Sequence, residues 1–138
     1  MMMFDFIELG SDEGDSEELR ISNIAKRLRG ICKNMNIPVL ADSQLGRDVE
    51  KRADKIPALS DLRYSGMLEQ VADNVLLIMR PEYYIKRGQA VKLIESGDGE
   101  GIAYVIQAKG RNDGVGFYRM AFVEQLSKFA ELERMELN

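Results

Sequence analysis

A chain of 138 residues with 45% hydrophobic and 30% charged content suits one globular domain with a real core and little room for a second. With no histidine and a single cysteine, Cys32, the sequence argues against a Ser-His triad, zinc and haem sites and an internal disulfide. The net charge of −4 argues against indiscriminate nucleic-acid binding, although base is concentrated at 47–55, 80–92 and 109–119 and acid at 8–18.

No apolar run approaches the roughly 20 residues that span a bilayer, so no membrane partner is expected. The opening Met-Met-Met-Phe lacks a basic flank and meets Asp5 at once, which does not read as a signal peptide. Cys32 sits at helix-core spacing and reads as a structural thiol in a reducing, cytoplasmic setting.

In chain order, residues 1–9 form a short apolar run ending in acid, which fits a buried parallel strand. Asp15, three residues before Glu18, resembles a capping box for the amphipathic helix predicted over 16–34, with Ile21, Ile24, Leu28, Ile31, Cys32 and Met35 on one face. Asn36 and Pro38 stop it, and a strand follows at 37–41, which makes a βαβ unit with parallel strands. The charged loop 45–59 reads as mobile. Ser60 and Asp61 are placed to cap a short helix over 62–71, with Gly66 weakening its middle, and 75–79 reads as another central strand ended by Pro81. Residues 82–101 read as an exposed connector. Two strands at 102–108 and 116–123 are joined by hairpin chemistry at Asn112-Asp113-Gly114, with a third short strand at 126–129 and a frayed tail over 131–138.

The expected fold class is therefore α/β, a parallel sheet with helices plus a C-terminal antiparallel hairpin, in a single domain over 1–138. Its parts are a βαβ core (1–81), a connector (82–101) and a hairpin region (102–130).

Chemistry concentrates at strand ends, where open α/β sheets place their ligands. Asp5 closes the first strand, either as a simple strand-end acid or as a carboxylate for magnesium. Ser43 and Gln44 close the second; a glutamine there can orient water or sense a γ-phosphate without carrying charge, and the alternative is a surface loop. An acid and a polar pair ending parallel neighbours would share one crevice. Lys109-Gly110-Arg111 precedes a tight turn, either solvated or presented to a nucleotide on a neighbouring subunit. Arg63-Tyr64-Ser65-Gly66 reads as a helix kink or as a phosphate cradle. The sequence contains no GxxxxGK[ST] loop.

The ordered segments DFIEL, SNIAKRLRGICKNMNIPVLADSQL, EKRADKIPALSDLRYSGMLEQVADNVLLIMRPEYY and IAYVIQAKGRNDGVGFYRMAF resemble the DnaB-type replicative DNA helicase, over the carboxyl-terminal half of its RecA-like P-loop NTPase motor domain. The resemblance implies that Asp5 is the Walker B aspartate handling magnesium and that Ser43 lies beside the nucleotide. It makes Gln44 the γ-phosphate sensor, and Arg63, Tyr64 and Gly66 the loop gripping single-stranded DNA. Lys109 and Arg111 become the pair reaching the ATP of an adjacent subunit. Tyr64 stands where the family has an acid, which opens base stacking as a contact; Asp42 and Gly46 also depart from the family pattern.

The family's P-loop, catalytic glutamate and amino-terminal collar precede this segment, so the expectation is ATP- and Mg2+-dependent translocation on single-stranded DNA in an intact homo-hexamer, and no turnover by this chain alone. Loss of the strand leading into the P-loop is expected to leave a gap in the sheet or to let the strands close up. The alternative function is a non-catalytic module that self-associates or joins intact helicase rings; a further one is another RecA-fold recombination ATPase.

Overall fold

A computed structural model describes residues 1–92, 97–112 and 114–132. Strand β1 (Met2–Phe4) is shorter than the apolar run that contains it, because the chain turns after Asp5 into a 3-10 turn at Ile7–Leu9. Only Ile7 of that turn is buried, while Leu9 faces solvent. Helix α1 (Glu17–Met35) buries Ile21, Ile24 and Leu28, as the periodicity predicted, together with Ala25, whereas Ile31 is half-buried and Met35 is exposed at the helix end. Its cap is Ser16 rather than Asp15: the Ser16 hydroxyl accepts the Leu19 N–H at 3.2 Å. Asn36, left-handed at φ 50°, ends the helix, with its N–H on the Cys32 carbonyl. Cys32 is half-buried instead of fully in the core.

Strand β2 (Val39–Ala41) runs parallel to β1, with Met2 opposite Val39 and Phe4 opposite Ala41, so the βαβ unit is present. The first core lies between this pair, α1 and α2 (Ser65–Val71); Met2, Phe4, Val39, Tyr64, Leu68 and Val71 pack against the buried α1 side chains.

The loop between β2 and α2 is held down, contrary to the expected mobility. A 3-10 turn at Arg47–Lys51 buries Val49, and the Lys55 ammonium, itself buried, donates to the Glu50 carbonyl at 2.6 Å. Ser60 and Asp61 do not cap α2. They lie in a 3-10 turn at Leu59–Asp61, where the Asp61 carboxylate is taken by Arg52 and by the Ala58 N–H, and α2 starts from left-handed Tyr64 (φ 61°).

Strand β3 (Asn74–Met79) is not a strand of the parallel sheet. It pairs antiparallel with β4 (Ile102–Gly110), in a sheet ordered β3-β4-β5-β6 with β5 (Gly116–Val123) and β6 (Lys128–Ala130). The reason lies in its two faces. Leu77 and Met79 are buried whereas Leu76 and Ile78 are 55% and 51% exposed, the alternation of an antiparallel sheet covered on one side. A 3-10 turn at Glu124–Leu126 delays the last strand beyond its expected start. Gly114 (φ 75°) serves the hairpin turn as expected; Asp113 lies outside the described residues.

Pro81 ends β3 by opening helix α3 (Pro81–Ile85). The connector that follows is largely exposed, as expected, but is anchored at two buried acids. Glu82 is buried and accepts the Gly101 N–H at 3.1 Å, and Asp98 is fully buried, taking the Tyr104 hydroxyl at 2.6 Å and Arg119 Nε at 2.7 Å. Residues 93–96, and 133–138 of the expected tail, lie outside the described residues. Among the described residues no strand pairs with the outer edge of β2 or of β3, and the strands fall in two separate sheets. No described helix is long and apolar enough to cross a membrane.

Candidate functional site

The parallel register brings Asp5 and the residues following β2 side by side. Asp42 N–H donates to the Phe4 carbonyl at 3.0 Å and Ile7 N–H to the Asp42 carbonyl at 2.9 Å, so the two chain exits stay zipped together past the strands. Asp5, Asp42 and Gln44 are exposed on this rim and Ser43 is half-buried.

Glu8 ties the two exits together, and sequence reasoning missed it. One carboxylate oxygen accepts both the Ser43 hydroxyl at 2.7 Å and the Gln44 N–H at 2.9 Å. Its other oxygen is buried with no partner among the described residues. Arg20 of α1 secures the same turn from behind, donating to the Glu8 carbonyl at 3.1 Å and to the Gly10 carbonyl. The one signal in the sequence was a second acid three residues after Asp5, at a spacing that a strand reading disperses and a 3-10 turn brings back.

Beyond Gln44 the chain forms a bridge to the loop that precedes α2. Leu45 pairs antiparallel with Leu62, the Arg63 N–H donates to the Gln44 carbonyl at 3.4 Å, and the Gly46 N–H donates to the Asp61 carbonyl at 2.6 Å. Asp61 is fixed in turn by Arg52, whose two terminal nitrogens reach its oxygens at 2.8 and 2.6 Å. Burial alone would raise the Asp61 carboxyl; the Arg52 hydrogen bonds and the Ala58 N–H outweigh it and hold the group below its ordinary value. Arg63 and Gly66 are exposed at the start of α2, with the Arg63 guanidinium 5.7 Å from the Tyr64 ring centre. The Tyr64 hydroxyl donates to Glu17, which pushes the phenol pKa up, so its ring lies against the domain and its polar end is engaged.

Lys109 and Arg111 gather at the other end of α2. The Lys109 ammonium donates to the carbonyls of Ala72, at 2.8 Å, and Glu69; Arg111 meets Asp73 at 2.9 Å. Gly110 between them admits no side chain, because a Cβ there would lie 2.1 Å from the Gly114 carbonyl oxygen. The structure thus places Asp5, Ser43 and Gln44 on adjacent strand exits, with Ser43 and Gln44 held by Glu8, and links Gln44 to Arg63. It sets Lys109 and Arg111 at the far end of the helix that Arg63, Tyr64 and Gly66 begin.

Magnesium takes oxygen ligands and commonly uses one or two carboxylates with nucleotide phosphates supplying the rest. Asp5, exposed at the strand end, fits one such contact; among the described residues no group of three or more acidic, histidine or cysteine side chains forms a cage by itself.

The sequence matches the family model described as DnaB-like helicase C terminal domain over residues 1–131. It is 39% identical over 137 residues to the replicative DNA helicase DnaB of Geobacillus stearothermophilus, covering 97% of this chain and 28% of that protein. To the replicative DNA helicase DnaB of Rickettsia prowazekii (strain Madrid E) it is 40% identical over 152 residues, covering 100% of this chain and 30% of that one. A solved structure of a DnaB-like replicative helicase and its interactions with primase is similar with a TM-score of 0.81 at 39% identity, covering 95% of this chain and 30% of that chain. A second solved structure, of an isolated ATPase domain, is similar with the same TM-score and identity, covering 95% of this chain and 44% of that chain. The chain therefore spans under a third of the length of these curated relatives. The fold is RecA-like, with a parallel and an antiparallel sheet, as these neighbours and the strand pairing together establish. By sequence and by structure, the chain belongs to the family of DnaB-like helicase C-terminal domains.

Proposed function

We infer that this chain is the distal part of an ATP-driven replicative helicase motor, the part that couples nucleotide state to a grip on single-stranded DNA. The observation that carries this reading is the bridge from Gln44 to Arg63: a polar residue in the strand-end crevice shares backbone pairing with a basic loop. In the intact homo-hexamer, ATP and Mg2+ would occupy the crevice, with Asp5 as a metal contact and Ser43 at its wall. Bound nucleotide supplies a terminal phosphate whose presence or loss changes the hydrogen bonding offered to the Gln44 side chain. Glu8 fixes the backbone that carries Gln44, so a change there passes to residues 45–46 and 61–63 rather than dissipating. Arg63 and Gly66 then offer charge and an open backbone to the DNA phosphates, and Tyr64, once released from Glu17, a ring for a base. Lys109 and Arg111 would reach the ATP of the adjacent subunit. Alone, the chain has no GxxxxGK[ST] cradle and is expected to turn over no ATP. The DNA grip is tested by anisotropy with a labelled single-stranded oligonucleotide: Arg63→Ala should weaken binding and flatten its salt dependence by about one phosphate contact. Equal affinity and slope would remove Arg63 from the interface.

A second reading, an assembly module, is supported by the edge of β3, which no strand pairs among the described residues, and by Leu76 and Ile78 exposed on the strand's face. Light scattering should then show mass rising with concentration, and a monomer at high concentration speaks against it.

A further inference from the structure

Three cations converge on the short stretch where α2 gives way to β3. Arg29 of α1 donates through Nη1 to Asp73 Oδ2 at 2.7 Å and to the Val71 carbonyl at 3.0 Å. Arg111 lies 2.9 Å from the other oxygen, Asp73 Oδ1, while its own backbone N–H donates to the Asp73 carbonyl at 2.9 Å. Lys109 holds the carbonyls of Ala72 and Glu69. The hydrogen bond from Arg29, with the charges of Arg111, Arg29 and Lys109, holds the Asp73 carboxyl below its ordinary value despite partial burial.

The geometry points to Asp73 as an internal stand-in for phosphate: its carboxylate parks the Arg111 guanidinium against its own subunit, and a nucleotide polyphosphate presented from outside takes Arg111 by displacing it. This rests on the reading of Lys109 and Arg111 as the pair that meets a neighbour's nucleotide. Four features make the exchange feasible. A guanidinium fork accepts carboxylate and phosphate oxygens in the same way. Arg29 remains on Asp73 after Arg111 leaves, so no carboxylate is stranded without a partner. The backbone bond from Arg111 to Asp73 and the bonds from Lys109 to α2 confine the motion to one side chain. Both partners are open to solvent, with 48% of the Arg111 side chain and 46% of the Asp73 side chain exposed. Asp73 is thus a positioning residue that keeps Arg111 from meeting stray anions and sets its affinity for the intended one.

The test uses the chain itself and inorganic tripolyphosphate as probe, with affinity measured by calorimetry and the arginine side-chain resonances followed by NMR. Asp73→Asn should bind tripolyphosphate about threefold to fivefold more tightly than wild type, the range an exposed ion pair opposes. Arg111→Ala should lose most of the binding. In the wild type the probe should move the Arg111 guanidinium resonance and leave that of Arg29 in place, a readout that stands even if Asp73→Asn fails to fold. Binding that depends on Arg111 but is no tighter in Asp73→Asn, or equal movement of the Arg29 and Arg111 resonances, would overturn the role of Asp73 alone. Binding indifferent to Arg111, or no binding by any form, would overturn both this role and the reading beneath it.

Discussion

Glu8 carries more of the site than its place in the sequence suggests. Its carboxylate is an acceptor held where two donors, the Ser43 hydroxyl and the Gln44 N–H, would otherwise be left in a partly buried corner. Glu8→Ala should therefore cost about 1–2 kcal/mol in urea unfolding, with Glu8→Gln recovering part of it because one amide oxygen can still accept. Equal stability of wild type and Glu8→Ala would mean that the bridge forms without it. The residue was hidden in the sequence because an acid at the end of an apolar run reads as the end of a strand. Only the turn at Ile7–Leu9 sends its side chain back across the parallel neighbour. The neighbourhood of Asp5 and the Ser43-Gln44 pair, in contrast, was legible, since both lie just past apolar runs whose parallel pairing brings the strand exits together.

Among the elements, α1 was readable almost to the residue, because a buried stripe of Ile21, Ile24 and Leu28 repeats at helical period and its ends carry ordinary stop signals. The start of α2 was not. Asp61 has the identity of a cap, but its oxygens are claimed by Arg52, a long-range partner that no local pattern announces. Strand β3 was misplaced for a related reason: a run of apolar residues does not reveal that alternate members face solvent. The Arg52–Asp61 pair makes its own prediction. The folded-state pKa of Asp61 is depressed, so its stabilisation is present at pH values above its ordinary 3.8 and is lost as pH falls through the folded value. Urea unfolding should show Asp61→Asn about 1–3 kcal/mol less stable than wild type at neutral pH, with the difference shrinking below that value. A difference unchanged by acid would mean that the ionised carboxylate is not what holds the loop.

At the scale of the whole molecule, the two-stranded sheet packs with α1 and α2, α3 packs on β4, and the short helix α2 carries different chemistry at each end. Its start bears Arg63, Tyr64 and Gly66, linked backward to Gln44; its end receives Lys109, Arg111 and Arg29 around Asp73. Through that arrangement α2 and the bridge before it connect the strand-end residues around Gln44 to the exposed basic loop at Arg63. Residues 44–46 and 61–66 should respond as one unit when the chain is titrated with a single-stranded oligonucleotide and its backbone amides are followed by NMR. Such coupling predicts that shifts centred on Arg63, Tyr64 and Gly66 extend across the bridge to Gln44, Leu45 and Gly46 with the same apparent affinity. Shifts that stop at Arg63, or that map to the four-stranded sheet, would contradict it.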